Sequence, residues 1–397
     1  MIKTLRDVIA WPIAALLLFF TARRWLFLIF ALQSRQAHDD ALAPTAASAS
    51  VLLLVPVRNE AETLPVFCSA LDRLNYPVDK LTVVFINDGS TDASAAILQQ
   101  WTAQRAHWHT LSLEQNRGKA NALNVALTRF TQGDIIAIYD ADEQPAPDVL
   151  THLVAPFAEV QVGAVSGQRA VGNSLASPAA SYTAFETLVH QFITMGAKDR
   201  LDLAPALLGS NCAYRRTALA QVGNFKPGAL LEDSDLTVKL AAAGWRTRFE
   251  PRAVSTHHVP ETIAGYWKQH TRWARGFADV AEDQASAFIQ QSALSWPLRL
   301  ELLIFSLGYL DRVALLIGGG LALFGSRLAR RAVAITLLTP LLQVLAALYA
   351  AQAPVALWRR IFWLPLFFGL DIAMAVSGFW GKLTKMPQVW EERRARR

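Results

Sequence analysis

The chain has 397 residues, enough for one catalytic domain of ordinary size together with membrane segments. Hydrophobic residues make up 53% of the chain and charged residues 18%, which is apolar for a soluble enzyme. The net charge of +6 is concentrated beside the most apolar stretches, which favours a lipid-facing, cytoplasmic edge over nucleic-acid binding. The two cysteines, Cys68 and Cys212, are far apart and have no metal-ligand spacing.

Residues 1–36 are predicted to form a membrane anchor. The apolar run of residues 8–20 is shorter than the roughly 20 residues that span a bilayer, and Arg23 and Arg24 follow it. We therefore expect one tilted crossing or a re-entrant anchor, with the two arginines snorkelling toward the interface. Residues 37–50, rich in Ala, Ser and Pro, are predicted to be a linker to the next domain.

Residues 51–277 have the pattern of an α/β domain. Short apolar runs at residues 51–55, 81–86 and 134–139 are typical of strands buried on both faces, and residues 120–130 have a helical apolar period. Alternation of strands and helices predicts a mainly parallel sheet with right-handed crossovers. Ligands bind outside the carboxyl ends of such strands, and the polar motifs of this domain begin there.

Asp140 and Asp142 follow the third of these strands. Residues two apart on an extended chain point the same way, so both carboxylates can meet one ligand. A divalent cation that completes its shell on phosphate oxygens suits this pair, and a solvated turn is the alternative. Asp88, after the neighbouring strand, is a candidate to bind the ribose or base of a nucleotide. Its alternative is helix capping, a role that Asp92 could fill instead.

Two further motifs lie at predicted helix starts. Lys119 follows Gly118 and could meet a phosphate as a point charge, with a solvated lysine as the alternative. Glu232 and Asp233 open an amphipathic helix, where acidic residues normally complement the helix dipole. A glycosyl transfer that inverts the anomeric centre also needs a carboxylate to take the proton of the acceptor hydroxyl. Asp233 is the predicted base, with Glu232 beside it in support.

Gln269 and Trp273 lie four residues apart on a predicted helix, with Arg272 nearby. Arg272 could neutralise a diphosphate leaving group, and Trp273 offers a flat apolar surface to a sugar ring. Three histidines without metal-ligand spacing are interpreted as structural: His257, His258 and His270.

The remaining chain is predicted to return to the membrane. Residues 278–300 are expected to be amphipathic, interfacial helices, residues 301–381 membrane segments, and residues 382–397 a basic cytosolic tail with Trp390. Residues 302–324, 332–351 and 361–380 are each long enough to span a bilayer. Three crossings would separate the tail from the middle domain, whereas the positive-inside rule places the tail and the arginines of residues 327–331 beside it. The simplest resolution is that residues 302–324 do not fully cross, and the alternative is a further crossing elsewhere in the chain. Asp371 lies in an apolar stretch and is expected to face protein or a channel.

In this order, the motifs resemble those of the family 2 glycosyltransferases with a GT-A fold. The similarity is to the membrane branch that includes cellulose, chitin, hyaluronan and poly-N-acetylglucosamine synthases. It covers residues 51–277 and flanking transmembrane helices at both ends. Each motif is weak alone and the ordered set is specific: residues 56–60, 87–90, 117–119, 140–142, 209–216, 231–233 and 269–273.

The resemblance implies an inverting hexosyltransferase in the inner (plasma) membrane, multi-pass, with a cytoplasmic nucleotide-sugar-binding domain. It implies a UDP-sugar donor, a polysaccharide or lipid acceptor, membrane lipids and no nucleic acid as partners, and it allows export or accessory subunits. It implies Mg²⁺ or Mn²⁺ at Asp140 and Asp142, and catalysis by Asp233, Glu232 and Arg272. The residues implied to contact the nucleotide sugar are Pro56, Arg58, Glu60, Asp88, Lys119, Asp140, Gln269, Arg272 and Trp273. Those implied to contact the acceptor are Gly209, Ser210, Asn211, Cys212 and Trp273.

Two positions depart from the family pattern. Leu231 stands where Thr is usual, and Arg58 stands where Tyr is common.

The sequence leaves two rival functions open. One is transfer of a single sugar to a membrane lipid, as in ceramide- or hopanoid-type glucosyltransferases. The other is a transport or scaffold subunit with an inactive transferase domain, against which the presence of Asp140, Asp142 and Asp233 argues.

Overall fold

The computed structural model describes residues 2–33, 49–290, 294–307 and 310–384. The expected linker lies outside these ranges apart from its last two residues. The basic tail beyond Thr384, with Trp390, also lies outside them.

An eight-stranded sheet forms the centre of the described domain, in the order β3-β2-β1-β4-β7-β6-β8-β5. The strands are β1 Val51–Val57, β2 Leu81–Asp88, β3 Trp108–Leu113, β4 Ile135–Ile138, β5 Gln144–Pro145, β6 Val162–Val171, β7 Cys212–Arg215 and β8 Arg246–His257. The pairs β1–β2, β1–β4, β2–β3 and β6–β8 are parallel, whereas β7 is antiparallel to both β4 and β6, and β5 is antiparallel to β8. The predicted mainly parallel sheet is confirmed.

Helices cover both faces of this sheet, because the strands alternate buried apolar side chains between two cores. Leu52 and Leu54 pack toward Leu123, while Leu53 and Val55 belong to the opposite core. The helices of the domain are α2 Leu64–Leu71, α3 Ser94–Thr102, α4 Lys119–Arg129, α5 Val149–Val154, α6 Pro178–Leu188, α7 Gly196–Arg200, α8 Arg216–Gln221 and α9 Glu232–Ala242. Short 3-10 turns lie at Val78–Lys80 and Ala155–Ala158, and a π-helical segment, Val189–Met195, joins α6 to α7.

The remaining helices, most of them apolar, lie beside the domain, where those from the two ends of the chain form a bundle that α10 joins to the domain. They are α1 Ile2–Gln33, α10 Ile263–Gln290, α11 Trp296–Ser306, α12 Leu310–Leu323, α13 Arg327–Ala350, α14 Val355–Trp358 and α15 Leu364–Leu383, with a 3-10 turn at Ile361–Trp363. Three described segments are long and apolar enough to cross a membrane: Val8–Gln33, Arg327–Ala350 and Val355–Gly378.

The amino-terminal helix corrects the expected snorkelling of its two arginines. α1 continues as one helix through Arg23 and Arg24 to Gln33. Arg23 donates to Glu301 through two nitrogens at 2.5 and 2.8 Å, and Arg24 pairs with Asp311. These arginines are therefore held by carboxylates of α11 and α12 instead of reaching for the interface.

The segment expected at residues 302–324 is divided between α11 and α12. At 14 residues, α12 is about 21 Å long, too short to cross a bilayer core of about 30 Å. This agrees with the expectation that the segment does not fully cross. Asp371 on α15 is fully buried and accepts a hydrogen bond from Arg312 Nε at 2.9 Å, so it faces protein as expected.

The contacts between α1 and α13 show that these helices run parallel. Leu17 packs near Ala332, Thr21 hydrogen-bonds Thr336 at 3.0 Å, and Phe27 packs near Ala347. The carboxyl end of α1 leads into the domain. Because α13 runs parallel to α1, the start of α13 lies at the end of the bundle away from the domain. This contradicts the expected position of the arginines of residues 327–331 beside the domain.

α10 runs without a break from residue 263 to 290, across the domain boundary expected at residue 277. It contacts the domain on one side and the bundle on the other. A Cβ at Gly276 would lie 2.5 Å from Leu231 Cγ, and a Cβ at Gly378 would lie 2.6 Å from Ala274 Cβ. One helix therefore connects the start of α9 to α15.

Candidate active site

Lys119 joins four of the predicted motifs at the carboxyl edge of the sheet. Its Nζ donates to Asp140 Oδ1 and to the carbonyl oxygen of Gly209, each at 2.7 Å, and lies 3.5 Å from Glu232 Oε1. Burial lowers the pKa of Lys119, but the charges of Asp140 and Glu232 outweigh burial and raise it. The alternative of a solvated lysine is wrong, because the side chain is held inside the site.

Asp233 lies on the other side of the Gly209 turn. Gly209 has a φ of 71°, and a Cβ there would lie 2.9 Å from Asp233 Oδ2, so glycine permits this close approach. Burial first, and then the charge of Glu232, raises the pKa of Asp233 to about 7. A carboxylate with that pKa is suited to accept a proton near neutral pH.

The side chains of residues 140–143 point alternately to the two sides of the chain. Asp140 and Asp142 are half-buried, whereas Ala141 and Glu143 are buried, so the two aspartates share one side as predicted. Asp140 N donates to Ser210 Oγ at 2.9 Å, which fixes the turn to the Gly209 loop.

The donor atoms on this turn fit a hard divalent cation. Asp140 and Asp142 offer oxygen ligands, which Mg²⁺ and Mn²⁺ prefer. Within the described ranges, no group of three or more His, Cys, Asp and Glu side chains is arranged to hold a metal. A pair of carboxylates suits a cation that completes its shell on ligand phosphates and water.

Asp88 supports the neighbouring loop. Its carboxylate accepts from the backbone N–H of Arg117 at 2.7 Å and of Gly118 at 2.9 Å, and the residue is 4% exposed. Asp92 fills the capping role, since it accepts from the N–H of Ser94 at 2.9 Å. Asp88 thus holds the loop that precedes Lys119, which leaves its expected contact with a nucleotide as a prediction.

The first strand ends in a braced turn. Pro56 and Arg58 are half-buried, and Asn59 adopts a left-handed φ of 54°. The N–H of Glu60 donates to Ser94 Oγ at 2.9 Å, and its carboxylate accepts from Thr63 at 2.8 Å. The turn lies beside the end of β2, as the parallel pairing of β1 and β2 requires.

Three of the five residues expected to contact the acceptor are fully buried: Ser210, Asn211 and Cys212. Asn211 accepts from Tyr139 Oη at 2.6 Å and donates to two backbone carbonyls of β6 and β8, and Cys212 Sγ accepts from the N–H of Leu208 at 3.3 Å. These side chains hold the loop against the sheet and do not face open space. The loop therefore approaches the site through Gly209.

α10 places its polar motif on the face that meets α9. Arg272 is exposed, Trp273 is half-buried with its ring 4.6 Å from that of His270, and Gln269 Oε1 is buried with no hydrogen-bond partner among the described residues. Such an acceptor atom can take a hydrogen bond from water or from a ligand. About one turn after this motif, Gly276 packs against Leu231, the residue that departs from the family pattern.

His270 has the structural role that was expected of it. Its Nε2 lies 3.1 Å from Glu186 Oε2 on α6, and its Nδ1 lies 3.0 Å from the carbonyl oxygen of Tyr266. Burial lowers the pKa of His270, but the charge of Glu186 outweighs burial and raises it. The pair ties α10 to α6.

Sequence reasoning missed Arg169 and Glu143. Arg169 Nη2 lies 2.6 Å from Glu143 Oε1, and its charge faces Asp140, Asp142 and Asp233. The position of Glu143, one residue after Asp142 and on the inward side of the alternation, was the available indication. Arg169, a single arginine on a strand, offered none.

Comparisons with known proteins show which sequences the chain is similar to. Residues 52–223 match the model of the family described as Glycosyl transferase family 2. The chain is 30% identical over 230 residues to the Probable glycosyltransferase YdaM of Bacillus subtilis, covering 57% of this chain and 54% of that protein. It is also 30% identical over 234 residues to the Poly-beta-1,6-N-acetyl-D-glucosamine synthase of Staphylococcus epidermidis, covering 58% and 55%. The chain thus spans about half the length of the curated relatives it matches.

A solved structure with the same fold covers more of the chain. The mannosyltransferase PcManGT from Pyrobaculum calidifontis, solved in complex with GDP-Man and Mn²⁺, aligns with 94% of this chain and 100% of its own, at a TM-score of 0.63 and 23% identity. This likeness shows the fold and confirms the expected GT-A-like α/β architecture.

Proposed function

We propose that the chain, whose residues 52–223 match the model of Glycosyl transferase family 2, is an inverting, membrane-bound polysaccharide synthase. The proposed donor is a UDP-hexose or UDP-N-acetylhexosamine, and the proposed acceptor is the end of a growing β-linked exopolysaccharide at the cytoplasmic membrane face. The observation that carries the proposal is the junction at Lys119, where Asp140, Gly209 and Glu232 meet beside Asp233.

The chemistry of the protein residues follows from that junction. Asp233, with its pKa of about 7, takes the proton of the acceptor hydroxyl as the bond to the sugar forms. Lys119 holds the Asp140 turn and the Gly209 loop together, which fixes the orientation of the reactants. Displacement on the face opposite the leaving group gives a β-linked product from an α-linked donor.

The expected leaving group is a diphosphate, and several groups are proposed to receive its charge. A divalent cation at Asp140 and Asp142 would neutralise part of that charge when bound. Arg272 is proposed to neutralise another part, and Gln269 and Trp273 to contact the sugars. Pro56, Arg58, Glu60 and Asp88 are proposed to form the nucleotide end of the site.

Metal removal tests the role of the two aspartates. Transfer should fall by about 10³-fold or more in excess EDTA, since a metal at such a site supplies several kcal/mol of charge stabilisation. Readdition of Mg²⁺ or Mn²⁺ should restore it. Unchanged transfer in EDTA would show that Lys119 and Arg272 receive the diphosphate without a metal.

Product analysis tests the proposed function. The full chain, purified in detergent or nanodiscs, is incubated with a panel of radiolabelled UDP-sugars, and the products are separated by length. A ladder or a high-molecular-weight β-linked polymer is expected, and Trp273→Ala should shorten it. A single sugar extracted into organic solvent on a lipid would instead support the lipid glycosyltransferase.

A further inference from the structure

The guanidinium of Arg169 connects the two loops that face each other across the site. Arg169 lies on β6, and its Nε donates to Glu143 Oε1 at 2.7 Å. Its Nη1 donates to the carbonyl oxygen of Leu208 at 3.4 Å. One side chain thus contacts the residue after Asp142 and the residue before Gly209.

The partner of this guanidinium is fixed from the inside of the sheet. Glu143 is 1% exposed, and its Oε2 accepts from Ser255 Oγ at 2.5 Å. Each oxygen of this carboxylate therefore has a partner, on β6 for one and on β8 for the other. A satisfied network of this kind is rigid, because each buried group would lose its hydrogen bonds on moving.

The backbone of Arg169 is held as firmly as its side chain. The amide of Gln191 accepts from Arg169 N and donates to Arg169 O, each at 2.9 Å, and Gln191 is 3% exposed. Gln191 lies on the π-helical segment, and π turns are frequent at functional positions. The same segment packs against α1 through Ile193 and Phe27. Arg169 is thus held from the side of the molecule that packs against α1.

We propose that Arg169 is a positioning residue that fixes the separation between the carboxylate turn at Asp140–Asp142 and the acceptor-side loop at Gly209. The reaction that Arg169 would serve rests on the proposed function, whereas the contacts of Arg169 are independent of it. Reacting atoms must approach to about 3–3.5 Å, and a misplacement of about 1 Å can lower the rate about 10²-fold. Since the donor and the acceptor are expected on different loops, a link between those loops sets that distance.

Comparing transfer with hydrolysis tests this role. Each variant is assayed for sugar transfer to the acceptor and for slow hydrolysis of the UDP-sugar by water, which needs no positioned acceptor. Arg169→Gln should lower transfer about 10²-fold, with little change in hydrolysis or in KM for the donor. Arg169→Lys keeps the positive charge but loses the planar guanidinium with its two donor groups. Its transfer rate should therefore lie between those of the parent and Arg169→Gln. An equal fall of transfer and hydrolysis in a folded variant would overturn the proposal.

A second variant separates positioning from folding. Loss of Arg169 leaves the charge of Glu143 buried and unpaired, which destabilises proteins strongly. The double variant Arg169→Gln/Glu143→Gln removes that charge, so the fold should be stable while transfer stays low. Parental transfer in the double variant would show that Arg169 acts only through stability. Arg248→Gln is the matched control, because Arg248 pairs with the half-exposed Glu159. This substitution should leave the ratio of transfer to hydrolysis unchanged.

Hydrogen exchange measures the link without any reaction. The amides of residues 140–143 and 208–211 should exchange faster in Arg169→Gln than in the parent, and Arg248→Gln should have no such effect. If these amides exchange at the same rate in Arg169→Gln as in the parent, the link is overturned, even if the parent transfers sugar. If the parent transfers no sugar but Arg169→Gln still shows the faster exchange, the proposed function is rejected and the link is retained.

Discussion

Two clusters of charge, one in the candidate active site and one in the helix bundle, differ in balance and exposure. In the site, the single ammonium of Lys119 contacts the carboxylates of Asp140 and Glu232, and these three side chains are 15–34% exposed. In the bundle, Arg24 pairs with Asp311, and Arg312 pairs with both Asp311 and Asp371. Asp311 and Asp371 are buried there.

The difference separates charges that serve a ligand from charges that serve assembly. Two arginines and two aspartates balance in the bundle, as buried charges must to offset their desolvation. Acidic groups outnumber the ammonium at Lys119, so that cluster can accept more positive charge, and its exposure gives a ligand access. Changes in the first cluster should therefore alter turnover, and changes in the second should alter stability.

Among the substitutions that compare these two clusters, the largest effect on turnover is expected from Asp233→Asn, beside Glu232. Loss of a general base should lower transfer about 10²-fold or more, while nucleotide affinity stays near that of the parent. Single-turnover kinetics and calorimetric titration with UDP measure the two quantities. Asp283→Asn, on the exposed side of α10, is the control. Near-parental turnover in Asp233→Asn would remove Asp233 from the proposed chemistry.

The pH dependence should show the raised pKa of Asp233. Because the base must be ionised and its pKa is about 7, kcat/KM should rise about tenfold from pH 6 to pH 8. After burial, the charge of Glu232 contributes to that shift, so Glu232→Gln should move the acid limb to lower pH. An acid limb that does not move in Glu232→Gln would contradict this assignment.

A smaller effect is expected where α10 meets the site. Gly276→Ala inserts a methyl group against Leu231, and overpacking of this kind costs about 1–3 kcal/mol. If the displacement reaches Arg272 and Trp273, transfer should fall about fivefold. The double variant Gly276→Ala/Leu231→Ala should recover, and Gly320→Ala, with no atom within 4 Å of the added Cβ, is the control. A double variant as slow as the single one would exclude this contact as the cause.

The smallest effect on turnover is expected from the bundle cluster. Asp371→Ala should destabilise the protein by about 3–5 kcal/mol, because Arg312 loses a buried partner. Arg312→Met/Asp371→Leu should recover much of this, since the Arg24–Asp311 pair remains. Thermal unfolding in detergent and transfer per folded molecule are the measurements. Loss of transfer in the stable double variant would instead assign the cluster to the reaction.

The local features of the fold were predictable from the sequence, because buried strands and helix starts have local patterns. The runs at residues 51–55, 81–86 and 134–139 identify β1, β2 and β4, and their polar ends identify much of the site. The antiparallel β7 and the long α10 were not identified, since the neighbours of a strand and the end of an apolar period depend on distant packing.

Roles that depend on pairs distant in sequence could not be predicted. Lys119 contacts Gly209, 90 residues away, and no local pattern shows that its ammonium is held inside the site. Arg169 meets Glu143 across 26 residues, and an arginine on a strand has many candidate partners. The buried positions of Asn211 and Cys212 follow from their bonds to neighbouring strands, which the motif alone does not contain.

The pairing of α1 with later helices has a consequence for biosynthesis. Glu301 and Asp311 follow Arg23 and Arg24 by 278 and 287 residues. At about 5–20 residues per second, the ribosome needs roughly 15–55 s to make that stretch. In the membrane protein proposed above, α1 would hold two arginines during this interval before their partners exist, each costing about 2.5–3.5 kcal/mol near a helix centre on insertion scales. The bundle can therefore close around these arginines only after the α/β domain between them and their partners has been synthesised.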